Sequence, residues 1–158
     1  MNETLIRNWN AVVKPNDDIF HLGDFGFGRE KDLCNILRRL NGRKYFLYGN
    51  HDKAMYGITL QYFEWAKDYY ELNFQGQKMI LCHYPLATWN KARHGSWMLH
   101  GHCHTSFDWA NVDTTRHDIG VDGNGYYPVS FDQLKKIMDK KKYKIVDHHG
   151  KSDDMEEM

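Results

Sequence analysis

The sequence predicts a single α/β domain, and three observations support that prediction. A length of 158 residues allows one compact core but is short for two ordinary domains. Hydrophobic residues make up 41% of the chain and aromatic residues 15%, a composition typical of a folded globular protein. Short apolar runs that end at polar side chains alternate with segments of helical periodicity, which is the pattern of strands and helices.

The first half of the chain predicts a βαβ unit. Residues 18–22 form a short apolar run that leads to Asp24. Residues 30–40 then carry leucine and isoleucine at helical spacing, and residues 43–48 form the next apolar run, which leads to Asn50. Asp24 and Asn50 are therefore expected to follow consecutive strands joined by a helix.

The second half predicts further strands with polar side chains at their ends. Residues 69–74 and 78–82 flank a short polar turn and read as a hairpin, with His83 directly after its second strand. A further apolar run over residues 97–100 leads to the sequence Gly101-His102-Cys103-His104.

The chain is expected to finish with a strand, a helix and a tail. Residues 119–122 read as a strand, and Ser130 is a suitable N-cap for a helix that runs to Met138. We expect residues 1–145 to form one domain and residues 146–158 to form a polar, flexible tail.

Charge and cysteine content narrow the function classes. Twenty-one Lys and Arg residues balance twenty-one Asp and Glu residues, so no global field favours nucleic acid or membranes. Both a small substrate and a local basic patch are compatible with this balance. Three unclustered cysteines, with no signal peptide and no membrane span in the sequence, predict reduced thiols in a cytoplasmic protein.

Five side chains suited to metal binding follow the predicted strands. Asp and Asn are common turn residues and a histidine can be a satisfied core residue, so each has another explanation when taken alone. The ordered set at strand ends is what predicts a metal site. Mixed nitrogen and oxygen ligands suit Mn, Fe, Zn or Ni. The candidate ligands are Asp24, Asn50, His83, His102 and His104.

Other polar residues are candidates for catalysis or substrate contact. His51 directly follows a candidate ligand, so its imidazole can face the substrate and stabilise phosphoryl charge or protonate the leaving oxygen. Asp52 is expected to orient His51, or alternatively to act as a turn or cap carboxylate. Arg93 and His94 suit contact with a substrate phosphate, or lie in a solvated loop. Cys103 is expected to point away from its neighbouring histidines if that segment is extended.

The order of these motifs resembles the calcineurin-like metallophosphoesterase superfamily, and more closely its small single-domain members in bacteria and phages. The resemblance implies a four-layer α/β/β/α sandwich that holds two divalent metal ions, with Mn favoured. It implies that Asp24 bridges the ions and that His51 is catalytic. The motifs that carry it are Gly23-Asp24, Gly49-Asn50-His51-Asp52, His83 and Gly101-His102-Cys103-His104.

The resemblance further divides the remaining ligands between the two ions. It implies that Asn50, His83 and His102 bind one ion and that His104 binds the other. It also implies an Asp-x-His motif on a first strand, whereas the sequence from Met1 is similar to the helix after that strand. An N-terminally truncated domain is therefore expected, with an incomplete second metal site.

Two expectations follow from that incomplete site. One hypothesis places Asp147 and His149, which end a strand-like run, in the positions of the absent ligands; the alternative is a polar tail with incidental histidines. A sheet edge exposed by the absent strand would favour pairing with another chain, which predicts a homodimer.

The sequence thus favours a metal-dependent phosphoesterase. The expected substrate is a small nucleotide-like phosphodiester or phosphomonoester, attacked by a water activated at a dinuclear metal centre. One alternative is a degenerate one-metal or metal-free member that binds a nucleotide or a protein without turnover. A second alternative is a nuclease of the same superfamily, which the neutral charge does not favour.

Overall fold

The computed structural model describes residues 2–26, 28–104 and 114–146. The elements within these ranges are two sheets and four α-helices, which confirms the predicted α/β fold class. The helices are α1 (Asn2–Val12), α2 (Glu30–Leu37), α3 (Thr59–Tyr62) and α4 (Phe131–Met138). The strands are β1 (Asp18–His21), β2 (Arg43–Leu47), β3 (Ala66–Lys67), β4 (Tyr69–Phe74), β5 (Gln77–Cys82), β6 (Trp97–His100) and β7 (Arg116–Asp118).

The first sheet contains the predicted βαβ unit. Its strand order is β1-β2-β3, and both strand pairs are parallel. The connecting helix α2 ends at Leu37, three residues before the predicted end. Residues 38–40 continue as a tighter turn, in which the Leu40 N–H donates to the Leu37 carbonyl (3.3 Å). This turn still buries Leu40 against the core.

The second sheet has the order β4-β5-β6-β7 and mixes the two pairing directions. The predicted hairpin of β4 and β5 is confirmed as the antiparallel pair, and β6 and β7 continue the sheet in parallel. Its turn places Gln75 and Gly76 at φ 49° and 78°. Two successive residues with positive φ match the twist of a two-residue hairpin, which explains the glycine there.

The two sheets stack on each other. Successive residues of a strand point to opposite sides of its sheet and therefore pack into different hydrophobic clusters. Phe46 of β2 packs with residues of α1, α2 and α3, whereas the next residue, Leu47, packs with Leu81 and Leu99 between the sheets. Leu134 and Met138 of α4 join that inter-sheet cluster. The remaining face of β5 and β6 is covered by a third cluster around Trp89 and Ala92.

The prediction of a strand at residues 119–122 is wrong. The strand in this region is β7, and residues 121–123 form a 3₁₀ turn. Asp118 causes the change, because its Oδ1 accepts the Gly120 N–H (2.8 Å). A side chain that captures a backbone donor in this way competes with ladder pairing and ends the strand.

Two regions bear on predictions made above. Residues 147–158 lie outside the described part of the chain, and Asp147 and His149 are among them. The domain boundary after residue 145 therefore stays a prediction. Among the described residues, no helix has the length and apolar character needed to cross a bilayer.

Candidate metal site

Four strand ends bring the predicted ligands to one edge of the stacked sheets. Asp24 and Asn50 follow the parallel strands β1 and β2, and His83 and His102 follow the parallel strands β5 and β6. Carboxyl ends of parallel strands are the usual position of ligand sites in α/β proteins. The structure therefore confirms the predicted placement of these four residues after strands.

Two glycines allow the loops of this edge to touch. A Cβ on Gly23 would lie 2.6 Å from both the Gly49 nitrogen and the His83 Nδ1. A Cβ on Gly49 would lie 2.5 Å from Asp24 Oδ1. Any larger residue at either position would therefore push the candidate ligands apart.

Three candidate ligands adopt a left-handed backbone conformation. The φ angles are 54° at Asp24, 67° at His102 and 50° at His104. This region is uncommon for residues other than glycine and is enriched at functional sites, where surrounding contacts maintain it. The segment after β6 is thus a turn rather than extended, and the Cys103 N–H donates to the Gly101 carbonyl (2.8 Å).

His83 is the centre of a cluster of metal-ligating atoms. Its ring is buried, and its Nδ1 donates to the Leu22 carbonyl oxygen at 2.6 Å. Its Nε2 lies 3.0 Å from Asn50 Oδ1, 3.2 Å from His102 Nδ1 and 3.4 Å from Asp24 Oδ2. The hydrogen bond to the Leu22 carbonyl fixes both the tautomer and the orientation of the His83 ring, as backbone partners of metal-binding histidines commonly do.

These atoms fit a divalent cation. In the neutral His83 ring, Nε2 carries a lone pair, and it faces amide and carboxylate oxygens that also carry lone pairs. Ligands at about 2.1 Å from an ion lie about 3–3.5 Å from each other, which is the separation observed here. The ligand atoms of Asp24, His83 and His102 all lie within 4.8 Å of one another.

His51 and Asp52 occupy different positions around this cluster. His51 is exposed; its backbone N–H donates to Asp24 Oδ1 (2.9 Å), and its Nε2 lies 3.1 Å from Asn50 Nδ2. Asp52 is buried, and its carboxylate accepts the N–H groups of Gly49 (2.6 Å), Asp24 (2.8 Å) and Phe25 (2.9 Å). The contacts of Asp52 therefore support its predicted alternative, a turn carboxylate, and they connect the two ligand loops.

His21 supports the same loop from the core. Its Nδ1 accepts the Gly23 N–H (3.2 Å), and its ring lies against Phe25 at a centroid distance of 5.1 Å. Burial lowers the pKa of His21 to about 4, although the carboxylates of Asp52 and Asp24 oppose this effect. A neutral imidazole at this position is consistent with its role as a hydrogen-bond acceptor.

His104 is not a member of the cluster formed by Asp24, His83 and His102. Its Nδ1 contacts the carboxylate of Asp122, and this hydrogen bond raises the pKa of His104. The carboxylates of Asp118 and Asp24 act in the same direction. His104 and Asp122 thus form a second polar pair beside the first group of ligands.

The remaining candidates from the sequence are Arg93, His94 and Cys103. Arg93 and His94 lie on a 3₁₀ turn before β6, at the end of that strand opposite to His102. This placement does not bring them together with the ligand cluster. Burial raises the pKa of the Cys103 thiol, which favours its protonated form over a thiolate ligand.

Sequence reasoning missed two contributors to the site. The Leu22 carbonyl oxygen holds His83, and no side-chain pattern signals such a backbone partner. Asp122 holds His104; the apolar pattern predicts a strand there, although Gly120 and Gly123 lie on either side of Asp122. That Gly-Val-Asp-Gly sequence was the available signal for a polar loop residue.

Comparisons with known proteins agree with the fold and with the predicted family. A family model described as calcineurin-like phosphoesterase matches residues 2–157. An uncharacterized protein of Methanocaldococcus jannaschii is 31% identical over 148 residues, which cover 90% of this chain and 77% of that protein. A crystal structure of a protein of unknown function from Aquifex aeolicus superposes with a TM-score of 0.67 at 28% identity, covering 86% of this chain and 84% of that chain.

Proposed function

We propose that this chain, which belongs to the calcineurin-like phosphoesterase family, hydrolyses small nucleotide-like phosphate esters. The observation that carries the proposal is the convergence of lone-pair atoms from Asp24, His83 and His102. Together with Asn50 Oδ1, they supply the mixed oxygen and nitrogen ligands of a catalytic divalent ion. Membership of the family supports a metal-dependent phosphoesterase in general. The nucleotide-like substrate is the part that we propose beyond it.

The bound metal would supply Lewis-acid stabilisation of phosphoryl charge and would acidify the attacking water. The chain's own residues position the substrate and handle its proton. Asp24 fixes the backbone of His51 through its Oδ1, and the Asn50 amide donates to His51 Nε2. An imidazolium at His51 can donate its Nε2 proton to the leaving oxygen, which leaves a neutral ring whose Nε2 accepts the Asn50 amide N–H.

We propose that His104 belongs to a second metal position next to the first. Its side chain and that of Asp122 offer a nitrogen and a carboxylate, and the Asp24 charge acts on His104. Mn is the ion that we propose, and the donor set itself is equally compatible with Fe, Zn or Ni. A bridging role for Asp24 would connect the two positions.

One observation favours a second candidate function. The described residues gather three His and carboxylate ligands around one position, while His104 is already paired with Asp122. A one-metal protein that binds a nucleotide without turnover would show the same arrangement. The test of the proposed function must therefore separate binding from hydrolysis.

The test measures metal content and hydrolysis in the same preparations. Protein reconstituted with Mn should hydrolyse p-nitrophenyl phosphate or bis(p-nitrophenyl) phosphate, and Asp24→Asn should lower the rate by at least a hundredfold and reduce bound metal. His51→Ala should lower the rate similarly but leave metal content unchanged, because His51 is not a ligand in this proposal. Asp17→Asn is the matched control, since Asp17 is an exposed carboxylate that accepts the Lys14 N–H.

Two outcomes would contradict the proposal in different ways. Metal binding without hydrolysis of either substrate would favour the one-metal binding protein. Activity that survives Asp24→Asn would show that the site is assigned to the wrong residues.

Location and assembly remain predictions from the sequence. We propose a cytoplasmic protein that forms homodimers. Among the described residues, β1 is paired on one side only, by β2, so that its other edge offers backbone groups to a second chain. Light scattering that detects only monomer would contradict the dimer.

A further inference from the structure

Tyr84 is a large aromatic residue at the metal site that the proposed chemistry does not use. It directly follows His83, and 44% of its surface is exposed to solvent. Ligand sites are commonly lined by aromatic side chains next to a small number of polar groups, so an accessible ring at the edge of a polar site is placed to contact a ligand.

The ring of Tyr84 is packed against two candidate ligands. Its centroid lies 5.0 Å from the His83 ring, with an interplanar angle of 81°, and 4.9 Å from the His102 ring, with an angle of 58°. These are the distances and tilted geometries of favourable aromatic contacts. Only the side chains of the candidate ligands therefore separate the Tyr84 ring from the proposed metal position.

Two features restrict the position of this ring. The His83 ring beneath it is fixed by the hydrogen bond to the Leu22 carbonyl. Pro85 follows Tyr84 and limits the backbone of the preceding residue to extended conformations. Tyr84 is thus held at the rim of the site while much of its surface stays open to a ligand.

We propose that Tyr84 determines substrate specificity by stacking on the base of a nucleotide whose phosphate occupies the metal site. This inference rests on the proposed function and adds to it the residue that recognises the base. A nucleobase has a π-face that an aromatic side chain can cover, and such stacking contributes about 1–3 kcal/mol per base. A sugar phosphate without a base would gain nothing from Tyr84.

The site has a polar part and an apolar part, which suits a substrate made of a phosphate and a base. Asp24 and the imidazoles of His83 and His102 form the polar part of the site, which takes the metal and the phosphate. Tyr84 contributes an apolar surface that contacts two of these imidazoles. Phosphate binding and base binding would therefore depend on different side chains and can be measured separately.

The experiment compares two ligands that differ only by the base. Isothermal titration of the Mn-reconstituted full chain would use the non-hydrolysable phosphonate analogues of AMP and of ribose 5-phosphate. In the wild-type protein we expect the AMP analogue to bind about tenfold more tightly. Tyr84→Ala and Tyr84→Leu should reduce this ratio to about one, whereas Tyr84→Phe, which keeps the ring, should preserve it.

Phe74→Ala is the matched control variant. Phe74 is an aromatic residue of similar exposure, 45%. It ends β4 at the hairpin turn and pairs with Gln77, the first residue of β5, whereas His83 follows the last residue of β5. This variant should leave the ratio of affinities unchanged.

Each outcome decides between the two proposals. A ratio near one in the wild-type protein, or a ratio that survives both Tyr84→Ala and Tyr84→Leu, would overturn the role of Tyr84 while leaving the phosphate site intact. Failure of both analogues to bind the Mn-loaded wild-type protein would overturn the proposed phosphate site and, with it, this inference.

Discussion

Asp52 shows how a single buried residue organises the candidate site without being a metal ligand. Its two carboxylate oxygens accept three backbone N–H groups from the loops after β1 and β2. Hydrogen bonds to an ionised acceptor are stronger than those between neutral groups. Asp52 therefore fixes the distance between the loops that carry Asp24 and Asn50.

Removing this carboxylate should destabilise the whole protein as well as the site. Asp52→Ala leaves buried N–H donors without an acceptor, so we expect the free energy of unfolding to fall by about 3 kcal/mol or more. Urea denaturation would measure the loss. Metal affinity should fall in the same variant because the loops are no longer held together.

Asp17→Ala provides the comparison for Asp52. Asp17 also accepts a backbone N–H, that of Lys14, but it is exposed to solvent. Its loss should cost about 1 kcal/mol or less. Equal effects of the two substitutions would contradict the organising role of Asp52.

Residue identity alone left the role of Asp52 open between two alternatives. The sequence placed it next to His51, which favoured an orienting role for the imidazole, but a turn carboxylate was equally compatible. The decision depends on Asp24 and Phe25, which lie more than 25 positions away in the sequence. No local pattern contains that information.

At the level of elements, α4 is the one whose start the sequence specifies most completely. Ser130 accepts the Gln133 N–H (3.2 Å), and the Gln133 side chain accepts the Ser130 N–H (2.9 Å). This reciprocal pair is a capping box, and Ser130 was identified as the N-cap from the sequence. A cap of this kind is predictable because both partners lie within four residues.

We expect the capping box to make a measurable contribution to stability. Ser130→Ala removes the acceptor for the Gln133 N–H and should lower the free energy of unfolding by about 1 kcal/mol. Thermal or urea unfolding would measure it, with Ser130→Asp as the control that restores an acceptor. If Ser130→Asp lost as much stability as Ser130→Ala, the capping interpretation would be wrong.

β7 illustrates the opposite case. Residues 119–122 have the alternation of a strand, yet the strand lies at Arg116–Asp118, where Met98 pairs with Arg116. A buried arginine is unusual in a strand, and periodicity of apolar residues does not identify it. Its Nη1 donates to the Leu86 carbonyl (2.9 Å), a partner that only the folded chain supplies.

At the scale of the whole molecule, acid stability should depend on a histidine that is not one of the candidate ligands. His117 of β7 is partly buried, and its Nδ1 lies 3.4 Å from the Lys141 ammonium, beyond the end of α4. Burial first and the Lys141 charge second lower the pKa of His117 to about 4. The folded chain therefore keeps this ring neutral under conditions in which the unfolded chain protonates it.

The sign of the pH dependence follows from this difference. Between about pH 6.5 and about pH 4 the unfolded state binds a proton that the folded state does not, so His117 makes the folded chain less stable as the pH falls through this window. His117→Gln should reduce the slope of unfolding free energy against pH there, by less than about 1.4 kcal/mol per pH unit because the ring is partly exposed. An unchanged slope in urea titrations at several pH values would contradict the prediction.

The sequence by itself determined the α/β class, the βαβ unit, the hairpin and the placement of Asp24, Asn50, His83 and His102 after strands. These features depend on local periodicity, glycine positions and strand order, all of which short stretches of sequence carry. The family resemblance rested on the same motifs, and the match to residues 2–157 confirms it.

The tertiary structure decided which of the candidate residues meet and what holds them. It brought His83 Nε2 to Asn50, His102 and Asp24, turned Asp52 toward backbone donors, paired His104 with Asp122, and left Arg93 and His94 at the other end of β6. These contacts join residues up to 61 positions apart, such as His83 and Leu22. Their geometry depends on how the two sheets stack, which is a property of the packed core and not of any single segment of the sequence.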